Sequence, residues 1–351
     1  MKWIGCLAIP DWSIEPIPTL YLLEPDSRLE KEYGRLLVTK EDEVLLRVPI
    51  QNVSAVVLVG VSGATTQALH ALLEQGVPLF LVRRDGMLLG YLKTPTCYNL
   101  PLRQAQYRRN DEPDFALALA KEIVAAKIHN QAVLAKRLDR RKKTSEVCQT
   151  SEVWTQLKRA EKSAHACVKM DSLLGIEGSA ANVYFGIFQK AFDPAWKFTK
   201  RTRRPPRDPI NALLSLGYTF LGYAMTAALE IAGLDPYLGY FHQEEYGRPA
   251  LSLDLIEEFR APVVDSLVMG LINRRLLQED DFGPGKGGGI YLTRRGMRLF
   301  VREFEDRLET EITAADVGRP LSYRKLFEFQ AHKMVNLILG KVKTYQPFLW
   351  R

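Results

Sequence analysis

Pro78-Leu-Phe-Leu-Val-Arg-Arg-Asp-Gly-Met-Leu-Leu-Gly-Tyr-Leu-Lys-Thr-Pro95 is the stretch where the chain changes character. Pro78–Val82 and Met87–Leu92 are short, β-branched or leucine-rich runs on either side of Asp85-Gly86, which predicts two strands and a turn. Upstream, Leu20–Leu23, Arg35–Thr39, Glu43–Val48 and Ala55–Val59 read the same way. One helix interrupts them: Thr65–Gln75 places Ala68, Leu69, Leu72 and Leu73 at helical spacing, and Gly76 supplies the stop. Past Thr94-Pro95 the period becomes helical, over Pro113–Arg140, Glu152–Cys167, Asp171–Phe192, Asn211–Ala232, Leu253–Gln278, Thr293–Leu308 and Ser322–Leu339. The expected fold is α+β. A small N-terminal β-rich domain spans 1–97, a larger all-α domain spans 98–351, Pro95–Leu102 links them, and no repeat of fixed period is present.

The 351 residues suit two cores, and 46% hydrophobic with 25% charged residues is a globular composition rather than a disordered one. Forty-eight basic against 41 acidic residues leave a net +7, so only the distribution of charge can implicate a polyanion. Cys6, Cys97, Cys148 and Cys167 form no C-x-x-C pair and are too sparse for a disulfide framework, which favours a reduced, cytoplasmic compartment. His165, Cys167 and Cys148 lack a fourth neighbour for zinc. Met1–Ile9 has no long apolar core of a signal peptide. Ala212–Leu229 runs eighteen residues without a charge, yet Ser215, Tyr218, Thr219, Tyr223 and Thr226, with Gly217 and Gly222 for close packing, point to a buried core helix rather than a membrane span.

Three separated residues stand out as candidates for chemistry: Glu177, His242 and Glu257. Two carboxylates and an imidazole beside small or apolar residues suit a divalent cation acting on phosphodiesters. Glu177 lies between Gly175 and Gly178 in a helix; glycine costs about 1 kcal/mol relative to alanine there, so something comes close to the backbone, either a ligand or a tightly packed second helix. His242 sits among Tyr240, Phe241 and Tyr246, a setting where a lone histidine is more often a packing residue. Asp254 precedes Glu257 by one turn, with a rise of roughly 4.5 Å. Asp254, Glu258, Ala261 and Asp265 also fall on one stripe, which read plainly is a solvated acidic face near a helix start. Spacing does not choose between Glu257 and Glu258, both of which lie within about 60° of Asp254 around the axis.

Basic residues cluster at Lys136, Arg137, Arg140, Arg141, Lys142 and Lys143, and again at Lys197, Lys200, Arg201, Arg203, Arg204 and Arg207 with Trp196 and Phe198 interleaved. The second cluster is in a proline-containing, irregular segment of the kind that contacts phosphates. Arg294, Arg295, Arg298 and Arg302 add a basic helical edge, and Val317–Arg351 carries seven Lys/Arg against Glu328 alone. Together they predict a sequence-tolerant phosphate footprint. Gly283-Pro-Gly-Lys-Gly-Gly-Gly289 is not a P-loop, because Asp280 stands at the first glycine position and Gly287 follows the lysine; Lys286 remains a candidate phosphate contact.

With these residues in view the chain resembles the CRISPR adaptation integrases, the nuclease-integrases that insert new spacers into a CRISPR array. The resemblance is carried by Arg47-Val-Pro-Ile-Gln-Asn-Val-Ser54, Gly86-Met-Leu-Leu-Gly90, Ala125-Ala-Lys-Ile-His-Asn-Gln131, Gly175-Ile-Glu-Gly-Ser-Ala-Ala181 with Tyr184-Phe185, Asp208-Pro-Ile-Asn211, His242, and Gly247-Arg-Pro-Ala-Leu-Ser-Leu-Asp-Leu-Ile-Glu-Glu-Phe-Arg260. It implies a β domain that mediates homodimerisation and a helical domain in which Glu177, His242 and Glu257 hold Mg²⁺ or Mn²⁺, with Asp254 tuning the site. The family pattern assigns the ligand to Glu257 and leaves Glu258 as its neighbour. The implied reaction is attack by a 3′-hydroxyl of pre-spacer DNA on a repeat phosphodiester. The implied partners are double-stranded DNA, held by Lys200, Arg201, Arg203, Arg204, Arg207, Lys286, Arg294 and Arg298, and a small ferredoxin-like adaptation subunit bridging two dimers; no membrane is implied. A metal-dependent nuclease for branched DNA shares every site residue, and a non-catalytic DNA-binding scaffold uses the basic clusters alone. A small-molecule enzyme is disfavoured because no nucleotide or flavin fingerprint is present.

Overall fold

The computed structural model describes residues 19–83, 88–94, 100–141, 147–202, 205–242, 247–313 and 318–351. The N-terminal part contains β1 (Thr19–Leu22), β2 (Arg28–Glu32), β3 (Arg35–Lys40), β4 (Glu43–Pro49), β5 (Ala55–Val59), β6 (Gly63–Ala64), α1 (Thr66–Glu74), β7 (Leu79–Val82) and β8 (Leu88–Leu92). They make two four-stranded sheets, ordered β1-β5-β7-β8 and β4-β3-β2-β6. In the first, β1, β5 and β7 are parallel and β8 is antiparallel. Alternation along β5 explains its unbroken apolar text: Val56 and Leu58 face the second sheet and α1, whereas Ala55, Val57 and Val59 face the helices. Thr65 caps α1 by accepting the Ala68 N–H at 3.3 Å, and Gly76, at φ +68°, ends it as expected.

The remainder is mostly helical: α2 (Leu100–Asn110), α3 (Pro113–Arg141), α4 (Val147–His165), α5 (Met170–Phe188), α6 (Pro209–Ile231), α7 (Ala250–Ile256), α8 (Ser266–Asn273), β9 (Phe282–Pro284), β10 (Ile290–Leu292), α9 (Arg294–Leu308), β11 (Glu311–Thr313), β12 (Pro320–Ser322) and α10 (Tyr323–Ile338). The strand-rich to helix-rich order is as predicted, and one core runs across it. Phe80 stacks on Tyr223 of α6 at 5.6 Å, and Tyr21 lies 5.4 Å from Phe220. Helix α6 is the apolar segment that resembles a membrane span by composition; its apolar residues are largely buried inside the protein. Gly217 provides the closest approach, since a Cβ there would lie 2.5 Å from Val264 Cγ1, whereas Gly222 faces open space.

The second part is not all-α, since the two-stranded pairs β9–β10 and β11–β12 interrupt its helices, and β6 is a further strand not expected from the sequence. Three other differences bear on the packing. Strand β2, Arg-Leu-Glu-Lys-Glu, was not expected because Leu29 is its only buried residue. Helix α2 begins inside the expected linker; its text is polar, and only Leu102 and Gln106 are buried. Gln106 explains its place, exchanging hydrogen bonds with the Asp235 backbone at 2.8 and 2.9 Å. The expected single helix over Leu253–Gln278 is broken into α7, a π-helical turn at Arg260–Asp265, and α8. Pro262 is the cause: it has no N–H for the Glu258 carbonyl four residues earlier. That carbonyl is satisfied instead by Asn130 Nδ2 of α3 at 2.6 Å.

Candidate active site

The π-turn decides where the carboxylates point. Asp254, Glu257, Glu258 and Asp265 are 0%, 2%, 0% and 1% exposed, so the stripe is not a solvated acidic face. A buried carboxylate needs partners, and each of the four has its own set.

Asp254 receives the backbone N–H groups of Tyr240 and Phe241 on Oδ2 at 2.7 and 3.0 Å, and that of His242 on Oδ1 at 2.9 Å. Its Oδ1 is also 2.8 Å from His242 Nδ1. This loop reaches α7 because residue 239 is glycine; a Cβ there would sit 2.7 Å from Ala250 Cβ and 3.1 Å from Asp254 Oδ2. With Nδ1 engaged, His242 turns Nε2 toward Glu257 Oε1, 3.6 Å away.

Glu257 stands at the convergence. Arg260 Nη2 is 3.0 Å from its Oε1 and Lys127 Nζ of α3 is 2.8 Å from its Oε2, an ion pair in which Oε2 has no directed hydrogen bond. Burial alone would raise this carboxyl, but the charges of Arg260, Lys127 and His242 outweigh it and hold the group down at about 2. The same Lys127 ammonium bonds Glu177 Oε1 on α5. Thus the fold gathers Glu177 of α5, His242 of the loop before α7, and Asp254 and Glu257 of α7 and its C-terminal end from three segments, with Lys127 of α3 between the two glutamates. Among the described residues no three His, Cys, Asp or Glu side chains are already closed around an ion-sized position. Beside Glu177, Gly175 and Gly178 have nothing within 4 Å of a notional Cβ, so they leave an open face and do not serve helix packing.

Glu258 turns the other way, into the C-terminal segment. Gln330 Nε2 donates to its Oε2 at 2.7 Å, and the Tyr345 hydroxyl and Phe348 N–H also bond it. Burial pushes its carboxyl up to about 7 despite those donors. Asn130 joins this strap to α3, donating to the Phe348 carbonyl at 3.0 Å and accepting the Trp350 N–H at 2.7 Å. Asp265 accepts the hydroxyls of Tyr184, at 2.6 Å, and Tyr218, and the Arg260 guanidinium lies 4.7 Å from the Tyr218 ring centre.

The basic residues divide. Lys200 and Arg207 are exposed in the irregular segment before α6, with Arg207 donating to the Gly288 carbonyl at 3.3 Å. Arg201 is half-buried, bonding Asn211 Oδ1 and Ser215 Oγ at 2.8 and 3.0 Å. Arg294 and Arg298 both pair with Glu24 ahead of β2, tying α9 to the strand-rich part. Arg203 and Arg204, and the Lys286 side chain, lie outside the described residues. The interleaved aromatics are internal: Phe198 packs at 6.1 Å on Phe188 and 5.8 Å on Phe192, and Trp196 sits 5.9 Å from Phe282. Lys127, Arg260 and Asn130 carried no assigned role in the sequence. The signal for Lys127 was present, as a single ammonium in Ile123-Val-Ala-Ala-Lys-Ile128, an apolar run where a charge requires a carboxylate partner.

The family described as "CRISPR associated protein Cas1" matches residues 20–306. The chain belongs to the Cas1 family. It is 37% identical over 337 residues to the CRISPR-associated endonuclease Cas1 3 of Thermus thermophilus, covering 95% of this chain and 98% of that one. Among solved structures it is similar to a Cas1 protein from Thermotoga maritima, at a TM-score of 0.78 and 26% identity, over 95% of this chain and 99% of the other. It is also similar to part of a Cas6-RT-Cas1–Cas2 complex, at a TM-score of 0.81 and 30% identity, over 96% of this chain and 36% of that longer one. The chain is therefore an enzyme of the CRISPR-associated Cas1 endonuclease family, with its strand-rich part followed by its helical part.

Proposed function

We propose that this protein is a divalent-metal-dependent integrase that joins pre-spacer DNA to a CRISPR repeat. One observation carries the reading: Glu177 and Glu257 converge on a single buried cation, Lys127 Nζ, with His242 Nε2 turned toward the same carboxylate. Two carboxylates and an imidazole whose other nitrogen is held by a buried carboxylate are a fitting donor set for Mg²⁺ or Mn²⁺. Glu177, His242 and Glu257 would hold the ion, and Asp254 is a positioning residue acting through His242. When bound, the ion would supply Lewis-acid polarisation of the scissile phosphate.

The chain's own groups do the rest. Asp254 engages His242 at Nδ1, so Nε2 is the ring nitrogen that would face the ion. Arg260, anchored between Glu257 and the Tyr218 face, places fixed positive charge beside the position where phosphate charge develops. The open backbone at Gly175 and Gly178 admits a DNA strand against α5. In the reaction, a 3′-hydroxyl oxygen forms a bond to phosphorus while the target's bond to its own 3′-oxygen breaks. The proton lost by the attacker ends on the leaving oxygen, so one phosphodiester replaces another with no co-reactant.

Lys200 and Arg207, with Arg203 and Arg204 between them in sequence, and Lys286 of the glycine-rich segment would grip duplex phosphates, and Arg201, Arg294 and Arg298 would do so from their ion-paired or hydrogen-bonded positions. The edge strand β4 exposes Val44, Leu45 and Leu46 at 37%, 45% and 47%, which supports a homodimer formed through the strand-rich part. The relative solved with Cas2 supports a small adaptation subunit bridging two such dimers. A cytoplasmic site of action belongs to this reading.

The test is strand joining with pre-spacer duplex, a supercoiled array plasmid and the small subunit in Mg²⁺ or Mn²⁺. Joined product that disappears with Glu177→Ala is expected. Cuts without joining would leave only the nuclease reading, and joining that survives Glu177→Ala in a folded protein would leave the scaffold.

A further inference from the structure

Lys127 is 6% exposed in the middle of α3, flanked by Val124, Ala126 and Ile128, all buried. An ammonium in such surroundings is stable only when paired, and its two partners are Glu177 and Glu257. These are the carboxylates assigned above to a divalent ion, on which this inference rests. The same oxygens do not serve an ammonium and a dication together, because like charges a few ångströms apart in a poorly solvated site repel strongly.

We propose that Lys127 is a resident counter-cation, so that metal loading in this chain is an exchange: the divalent ion enters as the ammonium leaves the Glu177–Glu257 pair. Glu257 Oε2 is the oxygen at which the exchange takes place, since it is buried, faces Lys127 and has no directed hydrogen bond to give up. Arg260 remains on Oε1 in both states and keeps Glu257 ionised. Two consequences follow. The metal-free protein is neutralised at its centre and folds without an ion. Its affinity for divalent ions is set below what the bare carboxylates would offer.

The experiment is Mn²⁺ titration calorimetry on the full chain, with thermal melts in chelator and in Mn²⁺, for wild type, Lys127→Met, Lys127→Arg and Glu177→Ala. Lys127→Met keeps the length of the side chain and removes the charge; it should bind Mn²⁺ about tenfold tighter or more, and Mn²⁺ should raise its melting temperature further than that of wild type. Lys127→Arg, which keeps the charge, should bind no tighter than wild type. A Lys127→Met protein that folds only when Mn²⁺ is added also supports the exchange. Unchanged or weaker Mn²⁺ binding by Lys127→Met, or failure to fold with and without Mn²⁺, would overturn it. The underlying metal reading fails in a different way, by equal Mn²⁺ affinity in wild type and Glu177→Ala.

Discussion

His242 Nδ1 lies 2.8 Å from Asp254 Oδ1, and the same carboxylate accepts three backbone N–H groups from residues 240 to 242. Asp254 therefore fixes both the path of the loop and the tautomer of the ring. Asp254→Asn would turn an NH₂ group against these donors. We expect strand joining to fall by about 10- to 100-fold and stability by roughly 1–3 kcal/mol. Joining rates and urea denaturation check this; a variant with wild-type joining would remove the positioning role.

Glu257 and Glu258 are neighbours with opposite environments, one held down at about 2 by cations and one pushed up to about 7 by burial. Glutamine imitates a protonated glutamate, and the Tyr345 hydroxyl can reverse its role to accept from the new amide. Glu258→Gln should leave joining within about threefold of wild type, whereas Glu257→Gln should abolish it while the protein stays folded. The two variants in one joining assay decide the register, and the reverse pattern would move the site to Glu258.

Asp265 is raised from the ordinary 3.8 to about 6, because burial outweighs the hydroxyls of Tyr184 and Tyr218. A carboxyl raised on folding favours the folded state at low pH. Its contribution is full below about pH 4, declines as pH rises to about 6, and is flat beyond, a change of about 3 kcal/mol in all. Asp265→Asn should flatten this part of the stability profile, read from urea midpoints between pH 4 and 7. A mutant profile parallel to wild type would contradict the assignment.

Asn130 is buried and holds three backbone groups, the Glu258 and Phe348 carbonyls and the Trp350 N–H. Removing it orphans the Glu258 carbonyl, next to Glu257 at the entry to the π-turn, and two groups of the C-terminal strap. Asn130→Ala should cost about 2–4 kcal/mol and release the C-terminal strap, seen as faster amide exchange at residues 345–350. Unchanged exchange there would show that the strap is held otherwise.

The change from strands to helices was legible because period and proline agree across Pro78–Pro95. Strand β2 was not, since a charged strand with one buried leucine carries almost no pattern. The break in Leu253–Gln278 was hidden because apolar spacing continues through it; only Pro262 marks it, and its effect depends on Asn130 reaching the freed carbonyl from another helix. The stripe that reads as solvated from spacing alone is buried by partners from elsewhere in the chain, residues 240–242 on Asp254, Gln330 and Tyr345 on Glu258, and Tyr184 and Tyr218 on Asp265. Glu177, His242, Glu257 and Asp254 were singled out from their motifs and lie together in the fold, but Lys127 acquires meaning only when α3 and α5 are placed side by side. Trp196 and Phe198, interleaved with the basic residues in sequence, pack against the protein itself, Phe198 buried and Trp196 half-buried.

The central claim is that Glu177, His242 and Glu257 hold a catalytic divalent ion. Crystals of the protein soaked in Mn²⁺ and measured at the manganese edge test it most directly. The account predicts one anomalous peak in contact with Glu177, His242 Nε2 and Glu257, with the Lys127 ammonium moved off the two glutamates. A peak bound by Glu258, or no peak among these side chains at saturating Mn²⁺, would contradict it.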